Sequence, residues 1–528
     1  MRHPQGLGEA AELPAQPGTG PLDALGGRPD TQRRRVSAGA QEHMSDPAAP
    51  PLLRLYDTLS REKHPVLPVA RELLVYTCGP TVYNRVHIGN LRAFLTYDLL
   101  RRALLWAGHR VRHVMNLTDV DDKTIRDSRK AGQDLRRFTQ GWIDLFLADL
   151  DALHILRPHA LPRATDAIDA MVRLVQTLQE KGVAYRSEDG SVWFKIAAFP
   201  AYGRLSHLDA RTLEAGAGGR VAADEYEKDS VQDFALWKAW TPEDGDVFWE
   251  TPLGKGRPGW HLECSALAMQ HLGQELDIHA GGVDLVFPHH ENEIAQSEAA
   301  TGRRFARLWV HNEHLLVGGK KMSKSLKNFF TLEDLQRQAG ATPREVRWAL
   351  LLQAHYRSHL NFQVTYEGEK IVRWDSLEAA RGALRRLDDL RRALTAELQA
   401  PPPGSGAAAE RVARARREVR EAIADDLNVV RAVAALFELQ NDLRGQPLGA
   451  AAAGQALALL DEADRVLGVL APEPVRGLDP AEEDLFQRWV AARASKDWTA
   501  ADAVKQALAS RGIGVRARKD GPAEWFRT

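Results

Sequence analysis

Apolar and polar positions fall along this chain in blocks of distinct period. ELLVYTCG, residues 72–79, is an almost unbroken apolar run of strand length, and NLRAFLTYDLLRRALLWAG, 90–108, repeats apolar residues at spacings of three and four. The first predicts a buried strand and the second an amphipathic helix. RVRHVMNLTD, 110–119, predicts a second strand that ends in polar residues, and strand, helix, strand in that order opens a parallel α/β sheet. Helical spacing prevails from about 130 to 180. The stretch 183–260 is broken by glycines, rich in strand formers and marked by the aromatic pairs Trp193–Phe194 and Phe248–Trp249, which predicts an insertion between two halves of the sheet. DIHAGGVDLVF, 277–287, returns to strand and tight turn, and HENEIAQSEAATG predicts a helix closing at Gly302. From about 332 onward the pattern is mostly helical, with breaks at PPPGSG, 401–406, and APEPVRGLDP, 471–480. The expected fold class is α/β: a doubly wound, Rossmann-like parallel sheet with an inserted segment, then an all-helical domain and a small C-terminal module.

Composition narrows the setting. Within 528 residues, 70 lysines and arginines face 71 aspartates and glutamates, a net charge of −1, so any contact with nucleic acid comes from local patches. Residues 1–50 are rich in Pro, Gly, Ala and Gln, carry RRR at 33–35 and show no apolar period; they are expected to be disordered, and Met44 opens the better-patterned sequence. The sequence contains neither a signal-peptide pattern nor a run of about 18 uncharged apolar residues, and only two cysteines. A reducing, cytoplasmic setting with no membrane contact is expected.

Those two cysteines carry the first chemical signal. Cys78 ends the first predicted strand, at the edge where open α/β sheets place ligands. Cys264 stands in PGWHLECSA, and His289 and Glu293 in FPHHENEIAQ are four apart, on one face of a helix if the helix has begun by Pro288. Two thiolates, an imidazole and a carboxylate are a plausible zinc set. The spacing leaves the bland readings open: each cysteine alone is more often a small buried hydrophobe, and His290, Glu291 and Glu293 would suit a solvated helix face. The second signal is PTVYNRVHIGNLR, which sets His87 and Gly89 at a helix start directly after the first strand; a nucleotide can approach Gly89, and His87 can donate to phosphate. It lacks the GxxxxGK[ST] of a P-loop. The third is VGGKKMSKSLKNFF, a glycine-hinged loop with Lys320, Lys321, Lys324 and Lys327, suited to closing on a polyphosphate, with Met322 as a candidate apolar peg.

Together the motifs resemble a known family. HIGN and KMSKS resemble the two signatures of class I aminoacyl-tRNA synthetases, and YTCGPTVY, GRPGWHLECSA and FPHHENEIAQ resemble the cysteinyl-tRNA synthetase family in particular, strongly over about 52–365 and more loosely beyond. The resemblance implies ATP-dependent activation of L-cysteine and its transfer to tRNA(Cys), with one zinc per chain and Mg2+ accompanying ATP. It implies zinc ligands Cys78, Cys264, His289 and Glu293, and catalytic roles for His87, Asn90, Lys321 and Lys324. Gly89 and Lys324 would meet ATP, while Trp260 and Asp284 would lie near the amino acid. Asn90 replaces the last histidine of the first signature, which removes a proton-dependent role there. The implied division is an extension to 50, a catalytic domain over 51–330 with an insertion at about 130–260, a linker or stem-contact region over 331–365, a helical bundle over 366–470 and an anticodon-binding module over 471–528. Departures are AGG after DIH and RARKDG at 516–521.

For RNA the residues alone say less. Residues 411–440 predict a helix pair with an arginine-rich face, which reads more readily as solvated than as RNA-binding, and Trp489, Trp498 and Trp525 would serve equally as base-stacking platforms or as a small core. Two rival readings are a cysteine-activating ligase that acts on a small amine, which would not need the long tail after about 360, and a catalytically inactive, synthetase-like RNA-binding protein. A monomer is expected, since no heptad run stands out.

Overall fold

A computed structural model describes residues 51–527 except 68, 209–219, 222–232, 323–325, 327, 369, 400–406, 447, 473–477 and 517–522. The expected disordered extension, Lys324, Lys327 and most of RARKDG therefore lie outside the described residues. The chain opens with a hairpin, β1 (Arg54–Asp57) and β2 (Glu62–Pro65), followed by β3 (Leu73–Thr77), α1 (Ile88–Trp106) and β4 (Val111–Met115). β11 (Leu276–Gly282) and β12 (Ala306–Asn312) complete a four-stranded sheet in the order β12–β11–β3–β4, and every pairing in it is parallel. The chain runs outward from β3 to β4, returns to β11 at the other side of β3, and runs outward again. The order reverses between β3 and β11, so a crevice opens at their carboxyl ends.

Between β4 and β11 come α2 (Asp122–Lys130), α3 (Leu135–Ala152), α4 (Ile168–Glu180) and a six-stranded sheet. Its strands are β5 (Ala184–Arg186), β6 (Val192–Phe194), β7 (Arg220–Val221), β8 (Asp233–Ala239), β9 (Trp249–Thr251) and β10 (Gly254–Pro258). β10 feeds α5 (Trp260–Leu272), and β11 leads to α6 (Glu291–Thr301), which ends on Gly302 at φ 69° as the sequence predicts. β13 (Leu315–Val317) and β14 (Lys320–Lys321) form a second hairpin, and β13 also pairs in parallel with β15 (Leu360–Phe362), beyond α7 (Leu332–Ala339) and α8 (Pro343–Leu351).

α1 departs from the amphipathic helix that its spacing predicts. It buries residues all round, because β4 and β13 cover one side while α8 and a later helix, Gly449–Leu467, cover the other. Asp98, caught inside, is satisfied there: it receives Arg347 at 2.5 Å and Arg102 at 2.7 Å. Beyond β15 the chain is not wholly helical as predicted, since β16 (Thr365–Glu367) and β17 (Lys370–Arg373) form a small hairpin first. Then come α9 (Asp375–Glu397), α10 (Ala407–Ala424), α11 (Val429–Leu443) and α12 (Gly449–Leu467). Leucines, valines and alanines on their facing sides join the core of α1 and α8, each fully buried leucine or valine adding ~1.5–3 kcal/mol.

The last elements, α13 (Pro480–Ala494), α14 (Trp498–Ala509), β18 (Ile513–Arg516) and β19 (Glu524–Arg527), close round a core of their own built on Phe486, Trp489, Val504, Leu508 and Ile513. No helix among the described residues is long and apolar enough to cross a membrane.

Candidate active site and metal centre

The crevice between β3 and β11 holds the first two of the three chemical signals. Cys78 follows β3, and Cys264 lies in the second turn of α5, whose helix starts at Trp260 because Pro258 and Gly259 end β10 just before it. Their sulfurs are 3.8 Å apart, too far for a disulfide, and both residues are buried. α6 begins at Glu291, later than the sequence reading required, and a wider turn over 286–290 precedes it; the His289 Nε2 still lies 3.0 Å from the Glu293 Oε1. The ligand atoms of Cys78, Cys264, His289 and Glu293 all fall within 4.8 Å of one another. The solvated-face reading of 287–293 fails, because every residue of that stretch is buried.

The donor chemistry suits a divalent cation. Burial disfavours the charged forms, yet the Cys78 contact and the His289 cation bring the Cys264 thiol down to about 6, and His279 with His289 brings Glu293 down to about 2. His289 is raised to about 10: burial opposes its charge, and Glu293 and Cys264 overcome it. Cys264 and Glu293 are thus anionic donors balanced by the His289 proton, whereas burial, with Cys264 and Glu293, pushes the Cys78 thiol well above its ordinary range; a cation would replace both protons. Two sulfurs 3.8 Å apart match the edge of a tetrahedron with metal–sulfur bonds of about 2.3 Å. A second grouping, Cys78, His279, His290 and Glu293, is equally compact. It has one sulfur instead of two; its His290 Nε2 lies 3.2 Å from the Cys78 Sγ, so its donors face the same centre. His279 Nε2 sits 2.8 Å from the outer Glu293 oxygen, and His290 Nδ1 sits 2.8 Å from His311 Nε2.

Sequence reasoning missed this surrounding shell. His261 Nδ1 meets His289 Nδ1 at 3.0 Å, His279 holds Glu293, and His311 links His290 to the Thr58 hydroxyl at 2.7 Å. Such outer partners fix which atoms face the centre. His279 and His311 show in the sequence only as histidines set in the apolar strands LDIHAGG and RLWVHN, and His261 only as the neighbour of Trp260 in PGWHLECSA. Trp260 stacks on the His289 ring at a 4.2 Å centroid distance and 25°.

Next to the cluster a cavity of about 420 Å3 is lined by Cys78, His87, Gly89, Asn90, Asp284 and Lys321, with Tyr83, Tyr97 and Lys123. His87 caps α1: its Nδ1 accepts from the backbone N–H of Gly89 at 3.1 Å and of Asn90 at 3.2 Å. The proton therefore sits on Nε2, and burial lowers the ring to about 4, a neutral donor at physiological pH. The Asn90 side-chain oxygen accepts from the His87 backbone N–H at 3.2 Å, so this residue closes a capping box and needs no charge. A Cβ at Gly89 would lie 2.6 Å from the Met322 Cε and 2.9 Å from the capping His87 ring, so Met322 is seated on the helix start, as an apolar peg would be, and would have to move for a larger residue. Asp284 is exposed at the mouth just past β11. Lys321 also reaches the cavity, but the described residues do not include Lys324. A larger groove of about 810 Å3 between α9 and α11 contains none of these donors.

The RNA signals divide. Arg414 pairs with the Asp442 carboxylate and Arg420 with Glu462, while Arg411 donates to the Asp442 backbone oxygen and the Gln446 side chain, so much of the arginine face of the 411–440 helix pair is engaged by neighbouring groups. Trp489 is core, Trp525 packs against that core, and Trp498 is 55% exposed.

Comparison with known proteins accords with this geometry. Residues 66–368 match the family of class I (C) tRNA synthetase catalytic domains, 418–471 the DALR domain, and 475–525 the cysteinyl-tRNA ligase anticodon binding domain. The chain is 47% identical over 488 residues to the cysteine–tRNA ligase of Chlamydia muridarum, covering 89% of this chain and 98% of that protein. It is 45% identical over 478 residues to that of Protochlamydia amoebophila, covering 89% and 97%. Among solved structures, methionyl-tRNA synthetase from Mycobacterium tuberculosis with methionyl-adenylate shares the fold at a TM-score of 0.55 and 16% identity, over 76% of this chain and 90% of that one. The chain, with this fold, this cluster and these matches, belongs to the cysteinyl-tRNA synthetase family of class I aminoacyl-tRNA synthetases.

Proposed function

We propose that the chain is a cysteine–tRNA ligase that activates L-cysteine with ATP and transfers it to the 3′ end of tRNA(Cys). The observation that carries this reading is the meeting of Cys78, Cys264, His289 and Glu293, from three distant segments, beside the cavity of His87 and Gly89. In the first step a carboxylate oxygen of cysteine attacks the α-phosphorus, the bond to the β-phosphate oxygen breaks, and pyrophosphate leaves. In the second a terminal ribose hydroxyl attacks the acyl carbon and AMP leaves. No side chain acts as nucleophile, so the protein's share is placement and charge compensation.

His87 Nε2–H donates to phosphate oxygen, Gly89 lets the nucleotide approach the backbone, and the start of α1 adds its partial positive charge. Asn90 acts by holding that turn. Lys321, together with Lys324, meets the charge developing on the phosphates, with Mg2+ entering alongside ATP. Asp284 at the mouth pairs with the substrate ammonium, and Trp260 packs beside it while holding His289 in place. The proposed ligands of one zinc are Cys78, Cys264, His289 and Glu293. When bound, zinc offers the thiol a soft partner that the hydroxyl of serine does not match; a hydrophobic slot alone would separate the two by only ~1–3 kcal/mol.

The domain division that accompanies this reading has the catalytic unit at 51–330 with its insertion at about 130–260, a stem-contact region at 331–365, a bundle at 366–470 and an anticodon module at 471–528. A single chain supplies every group named, which supports a monomer, and two unbonded buried thiols support a reducing, cytoplasmic setting. The test is cysteine-dependent ATP–pyrophosphate exchange, followed by transfer with purified tRNA or a small amino-sugar as acceptor. Transfer to the amino-sugar alone would make it a small-amine ligase, and inertness in exchange would leave an RNA-binding protein.

A further inference from the structure

α1 carries a buried arginine to which the steps above assign no role. Arg92 is 2% exposed and lies one turn beyond the His87–Asn90 cap. Its Nη1 donates to the backbone oxygens of Glu313 at 2.7 Å and His314 at 2.5 Å, and its Nη2 to those of Ser358 at 2.6 Å and His355 at 3.3 Å. These four carbonyls stand immediately before β13 and β15, the two strands that pair in parallel and carry the lysine hairpin. β13 turns through Gly318 and Gly319 into β14, which ends at Lys321 in the cavity. On the exit side the same helix holds the loop again, through the Ile88 N–H to the Phe330 oxygen at 2.9 Å and the bridge between His87 and Thr331. α1 thus grips both ends of the segment that carries the lysines.

We propose that Arg92 is a positioning residue for adenylate formation: its fork, spread over four carbonyls, fixes the distance between the His87 turn and the lysine hairpin. The inference rests on the ligase reading above. Among the described residues no carboxylate takes the guanidinium in hydrogen bond, and burial costs the cation enough to bring it down to about 10, with Glu313 opposing. An aliphatic side chain would fill the space without that cost. The gain is geometric, since five donors in one plane can span two chain segments where an ammonium cannot.

The test compares Arg92→Met, which keeps volume and removes the donors, with Arg92→Lys, which keeps the charge. In pyrophosphate exchange Arg92→Met is expected to lower kcat about tenfold or more, because small misplacement of a reacting group is costly. The KM for cysteine should stay within about twofold and the zinc content should stay at the wild-type level. Amide exchange should quicken over 313–321 and not over α5 or α6. Arg92→Lys should fall between, and carries the same criteria alone if Arg92→Met does not fold. Wild-type kcat in the tested variant overturns the proposal. So does a loss shared equally by kcat, cysteine KM and zinc, the mark of general damage. A wild-type protein inert in exchange would overturn the ligase reading itself, and this one with it.

Discussion

Cys264 and His87 show what single residues contribute. Cys264 is legible in the sequence because the chain has only two cysteines, and its setting is legible because Pro258 and Gly259 start a helix just before it. As a proposed ligand it has no substitute of equal softness, so Cys264→Ser is expected to lower bound zinc and cysteine-dependent kcat/KM together, the latter about 100-fold or more, with ATP KM little changed. Elemental analysis beside exchange kinetics checks this, and a variant that keeps both properties removes Cys264 from the ligand set. His279, which holds the far oxygen of Glu293, was not legible: a histidine in an apolar strand reads as core until its partner, 14 residues on, is placed beside it. For His87 the structure changes the expectation. Burial holds its folded value at about 4, below the ordinary 6.5, so its contribution to stability is fully present above about pH 6.5 and is lost as pH falls from there toward 4. In the free protein its ring resonances should keep their neutral shifts down to about pH 5, and a midpoint near 6.5 would contradict the cap geometry.

Among the elements, the strands of the parallel sheet and the helix ending at Gly302 were legible from period and end signals, since each is a continuous run buried by its neighbours. α1 was misread as amphipathic because its outer face is covered by α8 and α12, helices far away in sequence, and β15–β17 were missed because three- and four-residue strands leave no period to detect. The turn between α10 and α11 was equally hidden. Asp426 and Leu427 both take left-handed backbone, at φ 63° and 55°. The Asp426 carboxylate, fully buried, accepts from the Tyr56 N–H at 2.9 Å, the Tyr356 hydroxyl at 2.6 Å and Arg357 Nε at 2.7 Å. One side chain therefore ties the helical region to β1 and to the loop whose carbonyls Arg92 holds. Asp426→Ala strands these donors and places a Cβ-bearing residue without a local hydrogen bond in the left-handed region, so a loss of ~3–5 kcal/mol is expected. Asp426→Asn keeps an acceptor oxygen and tolerates the same backbone, and should cost less than half as much. Urea unfolding of the two variants decides, with equal losses pointing to the charge alone.

At the scale of the whole molecule the division of labour rests on where the cores end. The sheet, the cluster, the cavity and the lysine hairpin draw on two large cores, and the cluster's side chains come from no residue beyond 311. The last module has a separate core, centred on Trp489 and Leu508, and shares no buried residue with the other two. Its three tryptophans looked interchangeable in the sequence, since aromatic character alone does not say which ring faces inward; only Trp498 presents a mostly open face. Removing the chain from 473 onward should therefore leave cysteine-dependent pyrophosphate exchange within about twofold of the full chain, because the first step needs only the crevice. Transfer to tRNA(Cys) should fall about 100-fold or more in kcat/KM, carried mainly by KM, if this module supplies the anticodon contacts. Within the intact chain, Trp498→Ala should weaken tRNA by ~1–3 kcal/mol, one base stack, with thermal stability almost unchanged. Trp489→Ala should unfold the module through a loss of ~3–5 kcal/mol. An exchange rate that collapsed with the truncation would show the two parts to be one energetic unit, and unaltered tRNA kinetics would move the RNA contacts to α9–α12, where most arginines are already held by neighbouring acids.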